Sequence, residues 1–530
     1  MRDLNAIPQM PLVLWTGLPL WVVLPFTLWC AYTITRCIYL LYFHPAAKFP
    51  GPKLAAISNI PYAYHWLRGR WPWAVEEMVK QYGDIVRVAP NEIVFTTTQA
   101  ALGNSYLHKT FALTRAKWYS DIYNPAVKNH EIWLKTDLMD FGTGDLGFIW
   151  EQDPVKRREV AKKVFPAFSS KAIKAKEPTV QQHIDLFITK MKAIGSDPGG
   201  VSLNTWLFWL AMDMSADLAY SRDLHQMQEE TSSDFMETLL GTNFFATIMQ
   251  VSKKLPFLTP LAYLVVPLSI IKKLGKTFKM NSEAVQRRID NHGNTKHPDF
   301  MDHMVPDNSP VPIPEKLKIH IEQVALQMFI AGFDPIQLVY FSSLFFLMKE
   351  PEVLRTLMQE IRSEFSSYDE ITPDALANLP YLNACIHETM RIHVPTATGM
   401  PRKSPGAVVD GNYIPKGVVC QTSFFTITRN PRNFHDPLRF CPARWLPADH
   451  PQYESKFARD KLKSYFPFGV GPRACTGRKI AWSQCRLFLG KVLWTFDLEQ
   501  TLGQSATFDK DYSTHVMWYK PEIRIRFIQR

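Results

Sequence analysis

Phe468–Gly477 reads FGVGPRACTG, and this loop decides how the rest of the chain is understood. Gly469, Gly471 and Gly477 permit tight backbone angles and let the main chain come close to a ligand. Cys475 stands just ahead of a predicted helix from Arg478 to about Trp494. Free N–H groups and the helix dipole at such a start favour a thiolate, the form of cysteine that binds metals. Arg473 is placed to hold an acidic group through a charge-assisted bond, and Phe468 to cover the sulfur and keep it dry. The competing reading is a buried structural cysteine in a glycine-rich turn.

Upstream, His387–Arg391 reads HETMR, in a predicted amphipathic helix over Tyr381–His393. Glu388 and Arg391 are three apart and share one helix face, so they can pair. A lone pair of this kind is usually a surface salt bridge of little worth. Further back, Leu317–Met348 predicts a long apolar helix with Pro335 in its middle, directly after AGFD at Ala331–Asp334. Pro335 has no N–H, so the carbonyl of Ala331 loses its usual partner and the helix should kink there. Gly83–Glu92, GDIVRVAPNE, reads as a short strand running into a turn, and Ala407–Val409 and Val418–Gln421 as further short strands. Two lookalikes fail on context. GTGDLG at Gly142–Gly147 follows no apolar strand, and the HExxH zinc pattern that begins at His387 meets Arg391 where the second His belongs.

Of the 530 residues 46% are hydrophobic, and the 39 Pro and 24 Gly are scattered rather than gathered into a linker, so one large domain is expected. The net charge of +11 has no Arg/Lys-rich motif with stacking aromatics behind it, which excludes nucleic acid as the partner. A mixed solvated surface accounts for it, as do anionic headgroups or an acidic protein. The seven Cys are widely spaced with no CxxC, which argues against a disulfide framework or a structural zinc site. From Ile7 to Thr35 no residue is charged, long enough to span a bilayer's hydrocarbon core of about 20 residues. Arg36, Lys48 and Lys53 follow it, which places the main body on the cytoplasmic side. The expected division is an anchor over 1–36, a Pro-rich hinge over 37–53 and a catalytic domain over 54–530. Leu255–Ile271, flanked by paired Lys, reads either as core or as a patch dipping into the membrane surface.

The order of aromatic, glycines, Arg and Cys around Cys475 resembles the haem-binding loop of cytochromes P450. From His44 to about Phe496 the chain is most similar to microsomal fungal enzymes of secondary metabolism, with phrases such as YGDIVRVAPNE at Tyr82–Glu92 and PKG at Pro415–Gly417. The resemblance implies a mainly α fold with small β-sheets behind an N-terminal transmembrane helix. It implies haem b with Cys475 as axial ligand and Phe468 and Gly469 beside it. Arg473 and Arg402 would then hold propionates, together with Arg158 or one of its neighbours Arg157, Lys162 and Lys163. Glu388 and Arg391 would join Arg444, from FCPARW at Phe440–Trp445, in a network under the haem. It further implies NADPH–cytochrome P450 reductase as partner, with cytochrome b5 as a second electron donor, in an endoplasmic reticulum membrane crossed once. The reaction implied is insertion of one oxygen atom from O2 into a lipophilic small molecule.

Two departures stand out. The family's acidic residue before Arg444 is Ala443 here, which predicts a less buttressed network. The family's oxygen-side Thr is Pro335, which leaves Asp334 as a candidate proton relay and Gln337 as a candidate to hold a water. That second departure keeps open a haem-thiolate isomerase, dehydratase or ring-former, and beyond it a non-enzymatic haem sensor. Lys117–Asn129 and Asp234–Gln250 are expected, by analogy, to line the pocket.

Overall fold

The computed structural model describes residues 20–97, 121–123, 133–138, 140, 144–256, 268–291, 294–305, 313–397 and 399–530. Helices dominate, with small sheets beside them. The elements used below are α1 (Leu20–Ile38), α2 (Ile60–Leu67), α3 (Trp71–Tyr82), β1 (Ile85–Ala89), β2 (Glu92–Phe95), β3 (Leu134–Lys135), α4 (Pro154–Val164), α5 (Ser170–Ile194), α6 (Leu203–Tyr220), α7 (Asp234–Lys254), α8 (Leu268–Asp290), α9 (Glu315–Lys349), α10 (Pro351–Glu364), α11 (Pro380–Ile392), β4 (Arg402–Lys403), β5 (Val419–Thr422) and α12 (Arg478–Thr495).

Helix starts follow the capping chemistry in the sequence. Asp153 accepts from the N–H of Val155 at 2.8 Å ahead of α4, where Pro154 takes the first position. Ser169 and Ser233 cap α5 and α7 in the same way. α9 carries Pro335 without interruption and is buried along most of its length. It lies tight against α6: Ser215 donates to the carbonyl of Phe329 at 2.8 Å, and a Cβ on Gly332 would sit 2.4 Å from the Ser215 hydroxyl. Around α9 the buried faces of α5, α6, α11 and α12 form one continuous core.

The largest sheet runs β1-β2-β5-β4-β3, with β2 and β5 parallel and the other neighbours antiparallel. Its residues divide by the two-residue pleat. Ile93, Phe95 and Cys420 enter one apolar cluster with Trp133, while Val86, Val88 and Val94 enter another with Tyr62, Trp66 and Trp71.

At the N-terminus α1 continues through a wider turn over Tyr39–Phe43. The helical stretch Trp21–Phe43 is long and apolar enough to cross a membrane, and most of it is free of the protein, Leu40 near its end being buried. It therefore runs past residue 36, the boundary expected from Arg36. Trp21, Trp29 and Tyr32 are exposed, a composition that suits lipid and its interfaces and not water. Arg87 ties this end to the globule, donating to the carbonyls of Leu40 at 2.7 Å and Pro90 at 2.7 Å. Of the second apolar stretch, residues 257–267 lie outside the described residues, as do most of 117–129.

Candidate active site

Cys475 is held by its own loop. Its N–H donates to the carbonyl of Phe468 at 2.8 Å, and Ala474 closes a turn onto Gly471 at 3.0 Å. Gly469 and Gly471 have φ of 67° and 76°, left-handed angles that a side chain would strain. Gly477 packs close by: a Cβ there would reach the Cys475 sulfur at 3.9 Å and Phe168 at 3.8 Å, ordinary contact distances. The thiol opens onto a cavity of about 510 Å³. Burial pushes the thiol up from its ordinary value, against the N–H of Gly477 and the charge of Arg478. A metal at the sulfur would reverse that balance, because coordination removes the proton.

The long wall contributed by α9 presents Met328, Ala331, Gly332, Pro335, Ile336 and Val339, spacings that trace one helical face. Three guanidinium groups also reach the cavity: Arg157, Arg402 and Arg473. Arg473 donates to the carbonyl of Glu151 at 2.6 Å. Arg402, buried, donates to the carbonyl of Pro401 at 3.0 Å and lies over the ring of Tyr123. In α4 the choice among basic residues falls on Arg157, buried beside Phe148. Arg158, the residue expected, is exposed on the outer face, because one residue turns the helix by about 100°.

Two thiols, Cys475 and the buried Cys485, line the cavity with these guanidinium groups and Lys135, a set that does not suit a bare ion, and among the described residues no group of three His, Cys, Asp or Glu could hold one. It does suit a metal that brings its own equatorial donors and two acidic arms. An iron porphyrin meets that description: sulfur on the metal, guanidinium on the propionates, and small Ala331 and Gly332 leaving room on the α9 side. Haem fits.

Beneath the loop, Glu388 and Arg391 do pair, and the pair is fully buried. Glu388 accepts from Arg391 Nε and Nη2, both at 2.8 Å, from the Cys441 N–H at 2.8 Å, from Arg444 Nε at 3.0 Å and from Trp445 Nε1 at 2.9 Å. The buttress that Ala443 lacks is supplied by Asp460, whose carboxylate pairs with Arg444 Nη1. Nothing in the local sequence marks Asp460. It arrives through the loop between Arg444 and the cysteine turn, and only the fold brings it in.

Asp334 and Gln337 are not on the cavity wall. The turn of α9 that presents Pro335 and Ile336 to the cavity aims these two aside, toward Lys520. Gln337 donates to Asp334 at 3.2 Å, and its oxygen accepts from the ammonium of Lys520, which also lies over the rings of Phe208 and Phe341. Burial raises Asp334 to about 6 and lowers Lys520 to about 7, each opposed by the other's charge. Asp334 is thus one half of a buried acid–base cluster set behind the cavity wall, and nothing in the local sequence marks its cation.

A family profile described as Cytochrome P450 matches residues 61–527. The chain is 45% identical over 497 residues to cytochrome P450 monooxygenase TwmD of Talaromyces wortmannii, covering 94% of each. It is 32% identical over 496 residues to cytochrome P450 monooxygenase poxC of Penicillium oxalicum, covering 94% of this chain and 92% of that one. Among solved structures it resembles the haem domain of cytochrome P450DA with a TM-score of 0.66 at 16% identity, over 87% of this chain and 93% of that one.

Proposed function

This chain belongs to the cytochrome P450 family and is an oxidoreductase of it, and from that premise we propose a membrane-anchored monooxygenase of fungal secondary metabolism that places one oxygen atom of O2 in a lipophilic small molecule. The observation that carries it is Cys475, whose thiol opens onto a largely apolar cavity that Arg157, Arg402 and Arg473 also line. The division proposed is an anchor over 1–36, a Pro-rich connection over 37–53 whose first turn continues the anchor's helix to Phe43, and a catalytic domain over 54–530. The setting is an endoplasmic reticulum membrane crossed once, with the catalytic domain in the cytosol.

Haem b, when bound, supplies the redox iron at which dioxygen is activated. The protein's residues do the rest. Cys475 would hold the metal through its sulfur, with Phe468 beside it, and Arg157, Arg402 and Arg473 would hold the two carboxylates. The Glu388–Arg391–Arg444–Asp460 network holds the segment that leads into the cysteine turn. On the α9 side Pro335 frees the carbonyl of Ala331 from its helical bond, leaving a main-chain acceptor that can hold a water where the family has a hydroxyl. Asp334, partly protonated near neutral pH, and Lys520 stand behind that turn as a proton reservoir.

Electrons come from NADPH through a reductase, with cytochrome b5 as a second donor. Arg158, Lys162, Lys163, Lys463, Arg478 and Lys479 are exposed on the elements around the cysteine turn and suit an acidic partner. The test is reconstitution with reductase, NADPH and a lipophilic substrate. Oxygenated product should form in step with NADPH use and vanish in Cys475→Ser. Turnover that needs neither NADPH nor O2 would overturn the proposal in favour of isomerase or dehydratase chemistry.

A further inference from the structure

The stretch GTGDLG at Gly142–Gly147 is no phosphate-binding loop, yet its described end is bound closely to α9. His320 and Gln327 are seven residues apart on that helix and so share one face. His320 Nδ1 meets a carboxylate oxygen of Asp145 at 2.9 Å, and the same oxygen accepts from the Gly147 N–H at 2.7 Å. Gln327 takes the residues that follow. Its Oε1 accepts from the N–H groups of Phe148 at 2.9 Å and Ile149 at 2.6 Å, and its Nε2 donates to the carbonyl of Leu146 at 2.8 Å. Both lone pairs of the amide oxygen are used, so a flipped amide would set its NH2 against two N–H donors. The turn needs its glycine: Gly147 has φ of 59°, and a Cβ on it would lie 2.5 Å from Gln327 Nε2.

Gln327 is buried and is not on the cavity wall, but the residues it holds are. Phe148, Ile149 and Trp150 line the cavity that Cys475 lines. From α4 the guanidinium of Arg157 lies 4.5 Å over the Phe148 ring, and Phe165 meets the same ring edge-on. Arg473, from the cysteine turn, reaches the far end of this loop at the Glu151 carbonyl. The loop forms no helix or strand, so its main-chain groups need partners from elsewhere. Gln327 supplies three of them with one side chain.

Resting on the assignment of Arg157 to a haem carboxylate, we infer that Gln327 is a positioning residue for Arg157. It fixes the Phe148 turn to α9, and the Phe148 ring fixes the guanidinium that holds the carboxylate. The helix that forms the long wall of the cavity thereby also sets the seat of the haem, from a point outside the cavity.

The readout is haem release from the loaded full chain to excess apomyoglobin, followed by Soret absorbance, in the wild type, Gln327→Leu, Arg157→Ala and the double variant. Gln327→Leu removes all three bonds at similar volume. With Arg157 in place it should speed release about tenfold, one hydrogen bond's worth at about 1.4 kcal/mol per decade. With Arg157→Ala already made, the same change should add about twofold or less, because residues that act through one another are not additive. A residue that only stabilised the fold would multiply release by one factor in both backgrounds. Gln327→Glu keeps an oxygen for the two N–H groups and loses the bond to Leu146. It serves if the leucine variant folds poorly, and should give a smaller acceleration with the same dependence on Arg157. Equal factors in the two backgrounds, or release unchanged by either substitution of Gln327, overturn the inference. Arg157→Ala releasing haem at the wild-type rate is a different failure: it sinks the carboxylate assignment itself, and this inference with it.

Discussion

Glu388→Gln is the sharpest probe of the network beneath the haem loop. The wild-type carboxylate receives three donors on Oε1 and two on Oε2, with distances from 2.8 to 3.0 Å, and every partner is an N–H. A Gln amide must turn its NH2 toward one of these sets. Whichever way it flips, at least two donors then face a donor. Its neutrality also leaves the guanidinium groups of Arg391 and Arg444, both buried, with Asp460 as the remaining carboxylate of the network. Breaking a buried ion pair by removing one partner costs about 3–5 kcal/mol. Natural domains have only about 5–15 kcal/mol in total. At the roughly 2 °C per kcal/mol expected of a large chain, thermal unfolding should fall by about 5–10 °C. Circular dichroism would follow unfolding, and the Soret absorbance would follow haem retained after purification. A variant that melts within about 1 °C of the wild type and keeps its full haem would refute the reasoning, because no buried charge would then have depended on Glu388.

The same carboxyl makes a pH prediction: burial alone would raise Glu388, but Arg391 and Arg444 outweigh it and hold it below the ordinary glutamate value. Its stabilisation is complete above about pH 4.3 and is lost as pH falls from there through the lower folded value, so acid melts of the wild type should show a drop that Glu388→Gln lacks. Lys520 runs the other way. Its value of about 7 lies below that of an unfolded lysine, so between pH 7 and about 10.4 the folded state binds fewer protons and stability should rise with pH; Lys520→Met should flatten that rise in melts taken across the range. Gly332→Ala should cost about 1–3 kcal/mol by pressing a methyl into the Ser215 hydroxyl, and Ser215→Ala in the same chain should recover part of it in thermal melts. Pro335→Thr should lower the hydrogen peroxide released per NADPH consumed if the freed Ala331 carbonyl is the poorer holder of water; an unchanged ratio would mean that carbonyl suffices.

What the sequence disclosed and what it withheld divide along a physical line. The cysteine turn, the Glu388–Arg391 pair and the apolar N-terminal helix depend on residues close together in the chain. Their chemistry is therefore legible in a glycine spacing, an i,i+3 pair or an uncharged run. Arg157 was one helical step from legible: the basic stretch was plain, but which cation faced inward required the direction of α4, and a run of four candidates carries no phase. Asp460 and Lys520 were beyond reach in principle, because each meets its partner only through the fold, Lys520 crossing from the C-terminal strands to α9. The same reason sets Asp334 and Gln337 off the cavity wall. The family pattern put them beside the reacting centre, and the helical period, applied to the face that holds Ala331, Gly332, Pro335 and Ile336, turns them away from it. That displacement has a mechanistic consequence. On the proposed monooxygenase reading, the route for protons runs from the Asp334–Lys520 cluster to the cavity past the Ala331 carbonyl, which Pro335 leaves without its helical N–H partner inside a continuous helix.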